Sequence, residues 1–145
     1  MTAKCKKLAA RFQGHHHPGK QAREAVDRPR LVIDSSCSVA LEKWGLSNGH
    51  TRTKLWDCFV VTGERLLGVE VHPATAGDVK DVLDKHAWAL ARLREADTAA
   101  QQWWWIPSGR NTVPSSGRAT RLLAKAGIRL SRRVLDARQV EDADR

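Results

Sequence analysis

Apolar and polar residues are patterned most regularly between residues 55 and 94, and this pattern predicts a β-hairpin followed by a helix. Residues 55–61 and 66–71 are rich in apolar and β-branched side chains, and residues 62–65 have the composition of a tight turn. Residues 75–78 carry the residue types of a capping box. Apolar residues then recur at helical spacing to about residue 94, which predicts an amphipathic helix with His86 packed on its apolar side.

Weaker patterns predict the elements around this unit. We expect strands at residues 31–41, 103–106 and 128–135, a turn at residues 47–49, and a helix that is capped by Ser115 or Ser116 and runs to Ala126, with Gly127 as its stop. The resulting order of strand, hairpin, helix, strand, helix and strand predicts an α/β fold with a mixed central sheet and flanking helices.

The two ends of the chain differ in composition from its middle. Residues 1–30 are predicted to form a basic, partly ordered arm, with short helices at residues 6–12 and 20–26 and a polar loop at residues 15–17. Residues 31–135 are predicted to form a single domain. Residues 136–145 form an acidic tail that we expect to fray.

Length and composition are those of a globular chain of one domain, with 145 residues, 41% hydrophobic and 28% charged. No apolar run approaches the roughly 20 residues that cross a bilayer, and the basic N-terminus lacks the apolar region of a secretory signal. Cys5, Cys37 and Cys58 are odd in number and widely spaced, which disfavours a disulfide framework or a zinc site. We therefore expect a cytoplasmic protein that does not bind membranes.

The net charge of +9 is unevenly distributed along the chain. Residues 1–30 hold eight Lys and Arg residues against two acids, and residues 108–133 hold seven and no acid. Residues 31–107 between them hold eight bases and ten acids. Basic flanks around a slightly acidic centre favour a protein that holds a nucleic-acid backbone on either side of a carboxylate site, although general solubility would produce the same charge.

The hairpin brings two acids together. If its turn is centred between Gly63 and Glu64, facing residues have numbers that sum to 127, and Asp57 and Glu70 satisfy that sum. Directly opposed residues project to the same face with Cβ atoms roughly 5 Å apart. Like charges so placed need a cation between them, and a divalent metal with oxygen ligands commonly supplies it.

Alternation along the second strand adds a third polar residue to this face. His72 points to the same side as Glu70, whereas Val69 and Val71 point to the other side, which we expect to be the core face. A lone carboxylate inside an apolar strand is costly to bury, and this cost favours a functional role for Glu70.

Residues 54–57 (Lys-Leu-Trp-Asp) and 68–72 (Gly-Val-Glu-Val-His), joined by the hairpin and followed by a helix, resemble the PD-(D/E)xK nuclease superfamily. The likeness is greatest to its Holliday-resolvase-like and VRR-Nuc-like members, and it covers about residues 50–106. It implies a restriction-endonuclease-like fold. It also implies that Asp57, Glu70 and the Val71 carbonyl bind Mg²⁺ or Mn²⁺, and that His72 stands where a lysine helps to activate water.

Two residues depart from the pattern of that family. Trp56 replaces a proline, and His72 replaces the lysine, although imidazole is shorter and, when neutral, carries no charge. Lys80 or Lys85 of the following helix can supply the missing charge, or the domain has kept the fold and lost the activity. We name Lys80 with Asp57, Glu70 and His72 as candidate catalytic residues.

The leading prediction is therefore a metal-dependent nuclease that hydrolyses phosphodiester bonds in DNA or RNA. The residues expected to contact the phosphate backbone are Arg110, Arg118, Arg121, Lys125, Arg132 and Arg133. The alternative is an inactive nucleic-acid-binding or assembly module of a larger complex, and a homodimer is also left open. Residues 31–36 offer a weaker likeness to the first strand of PIN-domain ribonucleases, with Asp34 as a metal ligand.

Overall fold

A six-stranded mixed β-sheet forms the centre of the computed structural model, which describes residues 2–19 and 30–144. In these described residues the strands are β1 (His16–Pro18), β2 (Leu31–Val32), β3 (Cys37–Val39), β4 (Cys58–Thr62), β5 (Arg65–Ala74), β6 (Gln102–Asn111), β7 (Ile128–Leu130) and β8 (Leu135–Asp136). The helices are α1 (Ala3–Arg11), α2 (Leu41–Ser47), α3 (Val79–Glu95), α4 (Arg118–Ala126) and α5 (Ala137–Ala143).

The strand order of the main sheet is β1-β3-β4-β5-β6-β7. Neighbours are antiparallel as far as β5, and β5, β6 and β7 are parallel. Parallel neighbours need a crossover, and α3 and α4 provide the two crossovers here. The predicted mixed α/β architecture is thus confirmed. β2 and β8 form a separate two-stranded parallel sheet.

Both faces of the main sheet are covered. Phe59, Leu66 and Trp105 belong to one core, together with apolar residues of α1, α2, α3 and α4. Val60 and Val69 belong to the other core, together with residues of β2, β8 and α5. Successive strand residues therefore alternate between two buried layers, which is why β4 and the first half of β5 read as nearly continuous apolar runs.

Gly68 permits the closest packing against the sheet. A Cβ atom at this position would lie 2.2 Å from a ring carbon of Trp103, so only glycine allows the indole to lie against β5. On its other side, Trp103 contacts His86 with ring centroids 4.5 Å apart. His86 is buried, so its prediction as a packed core residue is confirmed.

The hairpin, α3 and the end of α4 match their predictions. The register of β4 and β5 pairs Cys58 with Val69 and Thr62 with Arg65, so facing numbers sum to 127 as expected. The capping box between Thr75 and Asp78 is present. Gly127 ends α4 in the left-handed conformation as predicted, whereas the N-cap is Gly117 and not Ser115 or Ser116.

Three predicted strands have different bounds. Residues 31–41 form β2 and β3 in different sheets and then enter α2, because Leu41, Trp44 and Gly45 are buried at helical spacing. The strand at 103–106 continues to Asn111 through Pro107, with a register shift beyond His72. Residues 128–135 divide between β7 and β8, since the separate sheet captures Leu135.

The chain ends contribute more structure than expected. The helix predicted at residues 6–12 is present as the longer α1, and Cys5, Leu8 and the adjacent Phe12 pack it on the core. The predicted histidine loop instead contains β1, and Cys5 and Cys37 form a disulfide, contrary to expectation. The predicted tail forms α5, capped by Asp136 and held by buried Val140. The helix predicted at residues 20–26 lies outside the described residues.

Candidate functional site

Four elements bring four charged side chains together at the open end of the hairpin, opposite its turn. Glu42 lies in the first turn of α2 and Asp57 immediately precedes β4. Glu70 lies in β5, and Lys85 lies in α3. We call these four residues the Glu70 cluster. Because β4 and β5 keep the predicted register, Asp57 and Glu70 are brought side by side across the hairpin.

Reciprocal hydrogen bonds fix the two predicted acids. The Asp57 backbone N–H donates to Glu70 Oε1 at 2.9 Å. The Val71 N–H donates to Asp57 Oδ2 at 2.7 Å. Each carboxylate therefore accepts a bond from the strand that carries the other, and the backbone positions both.

Lys85 provides the positive charge of the cluster. Its Nζ lies 2.8 Å from Glu70 Oε2, and the Glu70 side chain is 0% exposed. Lys80, the lysine named from the sequence, is instead 88% exposed and lies 4.0 Å from Asp84. The structure therefore brings Lys85, and not Lys80, to the buried carboxylate.

Glu42 is the member of the cluster that sequence reasoning missed. Its backbone N–H donates to the Asp57 carbonyl at 3.1 Å, which ties the start of α2 to the start of β4. Its side chain also acts on Asp57, because its charge and hydrogen bonding raise the pKa of the Asp57 carboxyl. The helical spacing of Leu41, Trp44 and Gly45 was the available signal, since it places Glu42 in a helix rather than in a strand.

The electrostatics of the cluster are dominated by burial and by an excess of negative charge. Burial and the neighbouring charges of Glu70 and Glu42 raise the pKa of Asp57 to about 9, against the opposing effect of the Val71 hydrogen bond. Burial also raises the pKa of Glu70, although Lys85 opposes the shift. The pKa of Lys85 is raised because the carboxylate charges outweigh its own desolvation. The cluster thus holds three carboxyl groups and one ammonium group.

His72 lies beside the cluster but faces another set of groups. Its Nδ1 is 2.9 Å from the Pro73 carbonyl oxygen and 3.7 Å from Asp78 Oδ1. Donor atoms of His72, Asp78 and Asp81 all lie within 4.8 Å of one another. The imidazole therefore does not occupy the place that a lysine would take against Glu70, because Lys85 already fills it.

The face of the hairpin that carries these residues is not an open polar surface. Glu70 and Leu66 project to the side covered by α3, and Lys85 descends from that helix onto Glu70. The prediction of one core face and one polar face was wrong in this respect, because both faces are packed. Asp57, Glu42 and Lys85 remain partly exposed, so the cluster reaches solvent at the end of the hairpin.

The predicted phosphate-contacting residues are all exposed, and most lie at the same end of the sheet as the cluster. They are Arg110, Arg118, Arg121, Lys125, Arg132 and Arg133. Arg110 lies near the C-terminal end of β6, and Arg132 and Arg133 follow β7. The first turns of α4 begin at this end, whereas Lys125 lies two turns further away. The C-terminal ends of parallel strands are where ligands commonly bind in α/β sheets.

The structure does not support the weaker likeness of residues 31–36 to PIN-domain ribonucleases. Asp34 follows β2, which belongs to the small parallel sheet and not to the main sheet, so the likeness to a PIN-domain core strand does not hold. Trp104 and Trp105 of β6 are buried and belong to the core. Among the described residues, no helix is both long and apolar enough to cross a membrane.

Comparison of the chain with family models, with curated proteins and with solved structures gave no match.

Proposed function

We propose that this chain is a metal-dependent nuclease of restriction-endonuclease-like fold, as its likeness to the PD-(D/E)xK superfamily implies. The observation that carries the proposal is the Glu70 cluster: two hydrogen-bonded carboxylates from adjacent strands, with a lysine 2.8 Å from one of them. Buried ionisable groups with strongly shifted pKa values are concentrated at functional sites, although structural ion pairs also produce them.

The donor set fits Mg²⁺ or Mn²⁺. Three carboxyl groups face a single ammonium group, so the cluster in its ionised form lacks positive charge. Oxygen donors are the ligands that these hard cations prefer. Asp57 and Glu70 would hold the ion, with the Val71 carbonyl and Glu42 as further oxygen donors. When bound, the metal supplies charge neutralisation, polarisation of a phosphate and a lowered pKa for a water molecule.

The side chains of the chain itself have separate roles in this proposal. Lys85 favours the ionised form of Glu70 against the effect of burial and contributes the charge that the family places on β5. Backbone N–H groups of Asp57 and Val71 orient the two carboxylates. Arg110, Arg118 and Arg121 hold the nucleic-acid backbone at the same end of the sheet.

A second candidate function has its own observation. Glu70 already accepts bonds from Asp57 and Lys85 through its two oxygens, and a purely structural ion pair would look the same. In that case the chain is an inactive nucleic-acid-binding or assembly module that uses the same arginines.

The Glu70→Gln variant separates the two candidates when cleavage and binding are measured side by side on DNA and RNA panels with Mg²⁺ or Mn²⁺. A nuclease loses cleavage by at least about 100-fold, since the variant removes a charged ligand of the ion that would stabilise charge at the phosphate. A binding module shows no cleavage in wild type and keeps its affinity in the variant. Asp84→Asn, on the exposed side of α3, is the control and changes neither quantity.

A further inference from the structure

Another group of metal-binding atoms lies beside the edge strand β1 of the main sheet. Donor atoms of Cys5, His16 and Cys37 all lie within 4.8 Å of one another. They come from α1, β1 and β3, and both cysteines are fully buried. In the pairing of β1 with β3, His16 faces Val39 and Pro18 faces Cys37. His16 is therefore two residues along from the position opposite Cys37 and projects to the same side of the sheet.

His16 carries an unsatisfied polar atom at this place. Its Nε2 is buried and has no hydrogen-bond partner among residues 2–19 and 30–144. A buried polar atom without a partner is costly and calls for an explanation. Imidazole binds metals through such an unprotonated ring nitrogen.

We propose that reduction of the Cys5–Cys37 disulfide creates a zinc site formed by Cys5, Cys37 and His16. Two sulfur atoms and one imidazole are the soft donor set that selects Zn²⁺ over Mg²⁺. The disulfide and the zinc ion are then alternative cross-links between α1 and the sheet. With three protein ligands, the fourth position of a tetrahedral ion falls to water or to an added ligand.

The disulfide is reduced before zinc binds. A phosphine reductant takes the oxygen of one water molecule, and the two hydrogen atoms of that water convert the disulfide into two thiols. Each thiol loses its proton when zinc binds, because the thiolate is the ligand. Neutral imidazole binds zinc without releasing a proton.

Cobalt is the probe that tests the site. The full chain is reduced with a phosphine, freed of reductant without air, and titrated with Co²⁺, which then competes with Zn²⁺. We expect one ion per chain, a sulfur-to-cobalt charge-transfer band and the visible bands of tetrahedral cobalt. The oxidised chain shows none of these. Reduced wild type without a thiolate band, or oxidised protein that binds equally, overturns the proposal.

Variants identify the ligands. His16→Ala is expected to weaken binding by more than about tenfold, since even loss of an outer-shell partner costs 10–100-fold. His17→Ala, on the opposite side of the same strand, and Cys58→Ser, in the other core layer, are the controls and keep wild-type affinity. Equal affinity in His16→Ala and His17→Ala contradicts the assignment of His16.

Zinc-dependent melting gives a second readout. The melting temperature of the reduced chain should rise with Zn²⁺ in wild type and in Cys58→Ser, but not in His16→Ala. None of these outcomes depends on nuclease activity, so the zinc site and the proposed function fail or succeed separately.

Discussion

The Glu70 cluster and the arginine surface at the start of α4 use charge in opposite ways. In the cluster, hydrogen bonds of 2.7–2.9 Å hold the carboxylates of Asp57 and Glu70 and the ammonium group of Lys85, and Glu70 is fully buried. On α4, Arg118 and Arg121 are exposed. Charges of the first kind interact strongly and are weakly screened, whereas those of the second are screened over about 10 Å at 0.1 M salt. Removing one cluster residue should therefore have a large specific effect, and removing one arginine a small collective one.

The largest effect on stability is expected for Lys85→Met. This change leaves Glu70 buried without its partner, and breaking a buried pair costs about 3–5 kcal/mol. Urea unfolding at neutral pH measures the loss. The loss should shrink toward pH 4, because a protonated Glu70 no longer needs the ammonium group. Lys80→Met, on the exposed side of the same helix, should stay within about 0.5 kcal/mol of wild type. Equal losses in the two variants would contradict the assignment of Lys85.

The next effect is a pH dependence that Asp57 controls. The pKa of Asp57 is raised from 3.8 to about 9, so the folded state binds this proton more tightly than the unfolded state. Its contribution to stability is present below pH 3.8 and is lost as pH rises toward 9. The slope is at most about 1.4 kcal/mol per pH unit. Without metal, wild type should lose stability between about pH 5 and 8, and Asp57→Asn should lose less. Mg²⁺ should flatten the wild-type slope, because it replaces the proton.

The smallest effects belong to the arginine surface. Arg118→Ala and Arg121→Ala should each weaken nucleic-acid binding about equally for all sequences and reduce the slope of log affinity against log salt by about 1. Arg94→Ala is the control, since this exposed residue lies near the far end of α3. Affinity that does not change between low and moderate salt would contradict the proposed contacts between these arginines and phosphate groups.

Local patterns were sufficient where local chemistry decides the structure. The hairpin register followed from the position of one turn, and α3 followed from its apolar spacing. The same spacing contained more information than the prediction used. Val82 and Ala89 are buried, and they lie three residues before and four residues after Lys85, so they share its side of the helix. Lys80 projects from the opposite side. The positions of the two lysines on α3 therefore favour Lys85 over Lys80 as the partner of Glu70.

Long-range packing decided what the sequence pattern left open. β2 and β8 lie about a hundred residues apart and pair only because both cover the same core layer. The Cys5–Cys37 disulfide likewise depends on α1 packing beside β3, which spacing alone does not reveal. Glu42 was missed for the same reason, since its role depends on a helix placed against the start of β4.

Cleavage by Asp57→Asn is the most direct test of the account. The variant keeps the shape of the protonated side chain, so the fold should be retained or stabilised at neutral pH while the metal ligand is lost. We predict that wild type cleaves at least one substrate of a DNA and RNA panel with Mg²⁺ or Mn²⁺. Asp57→Asn should lose at least about 100-fold of that rate, and Asp84→Asn should retain it. Cleavage by Asp57→Asn at the wild-type rate, or no cleavage by wild type under any metal, would contradict a metal-dependent nuclease site at the Glu70 cluster.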